Sequence, residues 1–303
     1  MTRRGWLLFF GMGLIWGIPY LLIKVAVTDL NPVTLVFFRT TLGALLLLPL
    51  AAARGGLAPL LPRWKFVLAY TLAEVALPWV LLADAERHLT SSLTGLLVAA
   101  VPFVGVILSW LTGAADRFDA RRLIGLIVGF IGVAALVGLD VSGSDLTAVG
   151  EVGLVAIGYA VGPFIIARRL SDLPGMGVVA VSLTLPAIAY APFALYHLPR
   201  AMPSVEVLLA VAVLGVVCTA IAFLVFFALI AEVGSVRATM ITYVNPAVAL
   251  VLGVILLRER FTLGAALGFG LILAGLFLAT RKPRATQSAA ADETLAEAGG
   301  ARP

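Results

Sequence analysis

A single carboxylate stands in the middle of an apolar run of this chain: Glu74, in Tyr70-Thr71-Leu72-Ala73-Glu74-Val75-Ala76-Leu77-Pro78. A charge in hydrocarbon is costly unless it is paired, wetted or neutralised. Two chemistries suit it: holding the cationic group of a solute, or taking up a proton and so coupling solute movement to a proton gradient. The structural alternative is a counter-ion to Arg39 in the preceding run. Arg39 itself suits a solute carboxylate, or its long stem snorkels to the interface.

Other candidates recur at helical spacing. Trp16, Tyr20 and Lys24 lie four residues apart and form one stripe. Lys24 reads as an interfacial anchor. Trp16 is far from a run end, where aromatic belts do not lie, so Trp16 and Tyr20 either face a solute or pack between helices. In a later run Thr239, Thr242, Tyr243 and Pro246 share a face, with Asn245 placed to cap freed backbone or touch a solute. Pro246 cannot donate to the preceding turn, and Pro102, eight residues after Thr94, does the same in an earlier run. Tyr159 and Thr219 fall at depths equivalent to those beside Trp16 and Glu74. The expected cavity therefore comprises Trp16, Tyr20, Glu74, Thr94, Tyr159, Thr219, Thr242, Tyr243 and Asn245. Pro102 and Pro246 are the expected helix breaks, and Glu74 the coupling residue.

Enzyme chemistry has little to work with. No HExxH, no paired histidines and no Gly-Lys-Ser/Thr phosphate loop is present. The two histidines, His88 and His197, fall at run ends, and one cysteine, Cys218, excludes an intramolecular disulfide and a cysteine-rich metal site. No catalytic residue, metal or cofactor is expected.

The elements that must position these residues are transmembrane helices. Mean hydropathy is +1.11, with 62% hydrophobic and 12% charged residues, which fits a chain dissolved in lipid. About 20 apolar residues cross the bilayer core. Runs of that order cover Gly5 to Val27, Pro32 to Ala52, Lys65 to Ala85, Ser91 to Thr112 and Leu123 to Leu139. Five more cover Glu151 to Ala167, Gly175 to Tyr196, Val205 to Ala231, Val236 to Leu257 and Leu263 to Thr280. Long continuous runs exclude the alternating strands of a β-barrel. The first run is too long for a signal peptide and lacks its cleavage site.

The halves repeat. Pro19-Tyr20-Leu21-Leu22-Ile23-Lys24 matches Pro163-Phe164-Ile165-Ile166-Ala167-Arg168, and Pro102 matches Pro246, at an offset of 144. After one deletion, Arg117-Phe118 matches Arg260-Phe261, and Gly125 and Gly132 match Gly268 and Gly275, at 143. Five spans per copy force the second copy in upside down, the inverted repeat of many secondary transporters, with solute held near midplane. The expected fold is all-α: ten transmembrane helices as two inverted five-helix repeats, 5–139 and 146–281, around a central cavity. Residues 285–303 form a polar tail expected to be disordered in the cytoplasm.

Lys and Arg counts place both termini in the cytoplasm, with fourteen on that side against five opposite, namely Lys24, Arg87, Arg200, Arg258 and Arg260. The pI near 9.7 follows from this topology and the anionic inner leaflet, so nucleic acid is not invoked. Gly125-x3-Gly129 and Gly264-x3-Gly268 are small-x3-small pairs that bring helix backbones together, within the chain or across a homodimer.

Trp16-Gly17 followed by Lys24, Arg39 in the second run, Thr90-Ser91-Ser92 leading to Pro102, and Arg258-Glu259-Arg260-Phe261 before a glycine-rich last run together resemble the EamA-type members of the drug/metabolite transporter superfamily. The resemblance covers roughly Trp6 to Thr280. It implies a ten-helix inverted-repeat transporter in the cell membrane, often an exporter of amino acids, other metabolites or toxic small molecules, with its cavity lined by spans one, three, four, six, eight and nine. Glu259 matches the recurring Glu at the end of span nine and Asp116 stands in the first copy; both read as helix-end anchors. The function expected is secondary transport of a small metabolite such as an amino acid or amine; the alternative is a non-transporting receptor or scaffold.

Overall fold

The computed structural model describes residues 1–112, 120–141, 143–234 and 238–280. Every regular element among them is helical. Among the described residues, eight helices are long and apolar enough to cross a membrane: α1 (Arg3–Ala26), α2 (Pro32–Ala53), α3 (Ala58–His88), α4 (Ser91–Leu111), α5 (Leu123–Asp140), α6 (Leu146–Leu170), α7 (Gly175–Tyr196) and α8 (Val205–Val233). Two shorter apolar helices, α9 (Met240–Leu256) and α10 (Leu263–Ala279), complete a ten-helix membrane protein. Asp116, Arg117 and Phe118 and the tail 285–303 lie outside the described residues. Below, the near side is the one from which α1 starts, and the far side is the other.

Side-chain caps fix the helix starts. Thr2, Asn31, Thr90 and Ser204 accept from the backbone N–H of Gly5, Val33, Leu93 and Val207 respectively, which satisfies donors that would otherwise be orphaned at a helix end. Pro32 follows Asn31 at the first helical position, where its missing N–H costs nothing. The third helix runs on past the expected end at Ala85 to His88, because Asp84, Glu86 and Arg87 ended the apolar run without ending the helix.

The two repeats interlock instead of lying side by side. The second helix of each packs on its counterpart, α2 on α7, and the fifth on its counterpart, α5 on α10. The first helix of each leaves its own repeat: α1 packs against α8 and α9, and α6 against α3 and α4. Glycine permits the closest of these approaches. A Cβ on Gly125 would overlap the backbone of Gly275 and Ala279, one on Gly129 the ring of Phe103, and one on Gly268 the side chain of Leu136. Gly264 faces the Asp140 carboxylate, which accepts from Thr262 at 2.6 Å across the α5 and α10 ends. All four glycines are thus engaged with their own chain.

Two irregularities recur in both repeats. The fourth and ninth helices break at matching places. One stops at Val98 and restarts at Val101, with Pro102 in its first turn; the other passes from a 3-10 turn, Thr239–Tyr243, to an α-helix starting at Asn245, with Pro246 in its first turn. The third and eighth helices each widen into a π turn, Thr71–Ala76 and Val216–Ile221, about 144 residues apart. A π turn re-aims side chains and is frequent at functional sites.

Candidate functional site

Glu74 sits inside the α3 π turn. Pro78 helps to make it, since proline has no N–H for the carbonyl four residues back, which is that of Glu74 itself. The acid is aimed across the seam between repeats, at α6. A Cβ on Gly162 would overlap its carboxylate, and one on Gly158 would overlap the carbonyl of Ala73. Gly158 and Gly162, one turn apart, therefore let α6 close on the widened turn. Glu74 Oε2 is buried with no hydrogen-bond partner. Tyr70 and Tyr159 are its electrostatic neighbours, and no arginine or lysine forms an ion pair with it among the described residues.

Arg39 does not snorkel. It is 7% exposed, its Nε donates to Thr219 Oγ1 at 3.1 Å, and its guanidinium carbon lies 3.7 Å from the centroid of the Trp79 ring. Stacking on an aromatic face offsets part of the cost of burying a cation. Thr219 is set by the α8 π turn: its hydroxyl donates to the Leu214 carbonyl five residues back, at 2.8 Å, and Gly43 of α2 leaves room for its methyl group. The same device thus presents an acid in one repeat and a hydroxyl that holds the arginine in the other. Tyr159 is the link, with Glu74, Arg39 and Trp79 all around it. Glu74 is not the ion-pair partner of Arg39.

The remaining expected residues divide. Tyr20 is buried, close to Gly95 of α4 and Ala249 of α9, and electrostatically near Tyr159 and Arg39. It joins the cluster. Trp16 instead packs on α8, with ring centroids 4.8 Å from Phe226 and 5.9 Å from Phe223. Thr94 is fully buried and its hydroxyl donates to the Thr90 carbonyl of its own helix at 2.9 Å. Asn245, with its amide nitrogen oriented to the acceptors around it, donates to Ile241 O at 3.0 Å and Gly13 O at 3.2 Å. That ties the α9 break to α1, where Gly13 and Gly17 meet Val244 and Val248. Thr242 is exposed and Tyr243 half-buried in the 3-10 turn just before that break.

On the far side, Lys24 reaches inward to the turn between α3 and α4, donating to Glu86 O at 2.6 Å and Leu89 O at 2.8 Å. Glu259 accepts from the backbone N–H groups of Ser91 at 2.8 Å and Ser92 at 2.9 Å, capping α4 with a carboxylate. Arg258, at φ 55, makes the tight reversal that aims it there. Three groups escaped sequence reasoning. Trp79 lies in a run already represented by Glu74, Gly158 and Gly162 have an ordinary helical spacing, and Glu86 follows the last residue of the expected third run, Ala85. Glu86 is 0% exposed, and neither carboxylate oxygen has a hydrogen-bond partner.

A cleft of about 330 Å³ opens on the near side, lined by Ala51, Arg54, Met176 and Phe227 among others. None of the expected site residues lines it. We assign the candidate site to the buried polar cluster around Tyr159 because an ionisable group buried without a full set of partners needs a reason and an apolar surface cleft does not.

Ten helices in two inverted repeats, with buried ionisable groups gathered where the repeats meet, define a membrane transporter. The EamA-like transporter family model matches residues 3–138 and 152–281, and the chain belongs to that family. It is 27% identical over 299 residues to the uncharacterized transporter YvbV of Bacillus subtilis, covering 95% of each chain. It is also 27% identical to the uncharacterized inner membrane transporter YedA of Escherichia coli K12, over 89% of each. A solved crystal structure with 21% identity shares the fold at a TM-score of 0.65, over 92% of this chain and 98% of that one.

Proposed function

We propose that the protein is a secondary transporter that exports a small metabolite, such as an amino acid or amine, across the cytoplasmic membrane by alternating access, with both termini in the cytoplasm. The observation that carries this reading is the Glu74 carboxylate, buried without a hydrogen-bond partner for Oε2 in a π turn at the seam between α3 and α6. A carboxylate so placed has two stable conditions: neutral when the seam is dry, and charged when water or a cationic group reaches it. Access from one side discharges its proton and admits the solute; access from the other reverses the exchange. The paired breaks in α4 and α9 supply backbone that can bend, since the helix ladder is already interrupted there. Solute gradients across proteoliposomes test the reading. A panel of amino acids and amines should include at least one solute whose movement depends on the protein and on a pH gradient. A panel with no protein-dependent movement would favour a receptor or scaffold.

A further inference from the structure

Arg39 is a buried cation whose binding capacity is only partly used. Its Nε is engaged with Thr219 and one face of its guanidinium lies on Trp79. Its two terminal nitrogens have no hydrogen-bond partner, and no carboxylate lies within ion-pair distance, among the described residues. A guanidinium fixed by its Nε edge and one ring face still offers outward-directed donors, the arrangement that binds a carboxylate with two parallel hydrogen bonds. Its two anchors come from different repeats, Trp79 from α3 and Thr219 from α8, so the group stands where the repeats meet. Glu74 stands five residues before Trp79 on α3, roughly 7 to 8 Å of helix rise away, and Tyr159 is an electrostatic neighbour of both Glu74 and Arg39.

We propose that Arg39, on its Trp79 shelf, is an anion subsite that receives the carboxylate of the transported solute. The inference rests on the transporter reading and narrows it: the solute carries a carboxylate, and simple amines lacking one are not ligands of this subsite. Thr219 and Trp79 are positioning residues for the guanidinium.

The test compares common amino acids with their own carboxamides, which keep the ammonium and the side chain and lose only the anionic group. Purified protein is titrated with each, and the rise in melting temperature is read against concentration. At least one amino acid should bind roughly 10- to 100-fold more tightly than its carboxamide. Arg39→Gln should abolish that difference, and Arg39→Lys, which keeps the charge but loses the fork, should restore part of it. The comparison within the unmodified protein stands even if a variant fails to fold. If amides and amines bind and are transported as well as the acids, the anion subsite is wrong while the transporter reading survives. If no compound in the panel binds or moves, both fall.

Discussion

Glu74 and Arg39 are the two buried ionisable groups on which the proposed site turns. An isolated acid in an apolar run is conspicuous in one dimension, because lipid offers it no partner. The surroundings of Arg39 are not. Its stacking partner Trp79 and its acceptor Thr219 are 40 and 180 positions away, and nothing local distinguishes an arginine that snorkels from one held inside. Gly162 is similar: its importance lies wholly in the carboxylate it faces. Gly162→Ala should therefore overpack the seam, destabilising the protein by about 1–3 kcal/mol and displacing Glu74. Gly153→Ala on the same helix, where a Cβ meets nothing within 4 Å, should hold or slightly raise the melting temperature and leave flux unchanged. Equal behaviour of the two variants in thermal unfolding would show that the contact at Gly162 is slack.

Among the elements, breaks made by proline were legible and breaks made by packing were not. Pro102 and Pro246 announce the interruptions of α4 and α9, whereas the α8 π turn contains no proline and has no local signature. Helix ends carry further predictions. Glu259 caps α4 from the end of α9, so Glu259→Gln, which keeps the shape but removes the charge, should cost about 1 kcal/mol. An unchanged melting temperature would mean that the charge of Glu259 adds nothing to the cap. Asp29, between α1 and α2, accepts from Ser204 N at 2.9 Å, and this bond, with a smaller one from Thr28, holds its carboxyl below the usual carboxylate range. A depressed folded pKa gives stability that is present above about 4 and is lost as pH falls through the lower folded value. Asp29→Asn should flatten that acid limb of the melting curve and leave behaviour on further acidification unchanged.

At the scale of the whole molecule, duplication explains the architecture and asymmetry explains the site. The first helix of each copy, α1 and α6, packs on the other copy, so Glu74 and Arg39 lie at seams built from both repeats. The sequence offset already placed Cys218 opposite Glu74, and the structure puts both in matching π turns, one with a carboxylate and the other with a neutral thiol beside Thr219. The interlocking itself was not legible, because apolar helices in lipid have no hydrophobic stripe to say which neighbour they face. The lysine and arginine bias predicts orientation. In a Cys218→Ser background, Ala201→Cys should react with a membrane-impermeant maleimide in intact cells, and Ser171→Cys only after lysis. The opposite pattern would turn the protein over.

Proton-for-solute exchange at Glu74 is the step on which the proposed function turns. Its most direct test is proton entry, read by a pH-sensitive dye inside proteoliposomes loaded with a transported amino acid or amine and placed in more acidic buffer. The unmodified protein should couple solute exit to acidification of the lumen, and Glu74→Gln, still folded by its elution and melting profile, should abolish that acidification. Acidification by Glu74→Gln at the unmodified rate would contradict the account.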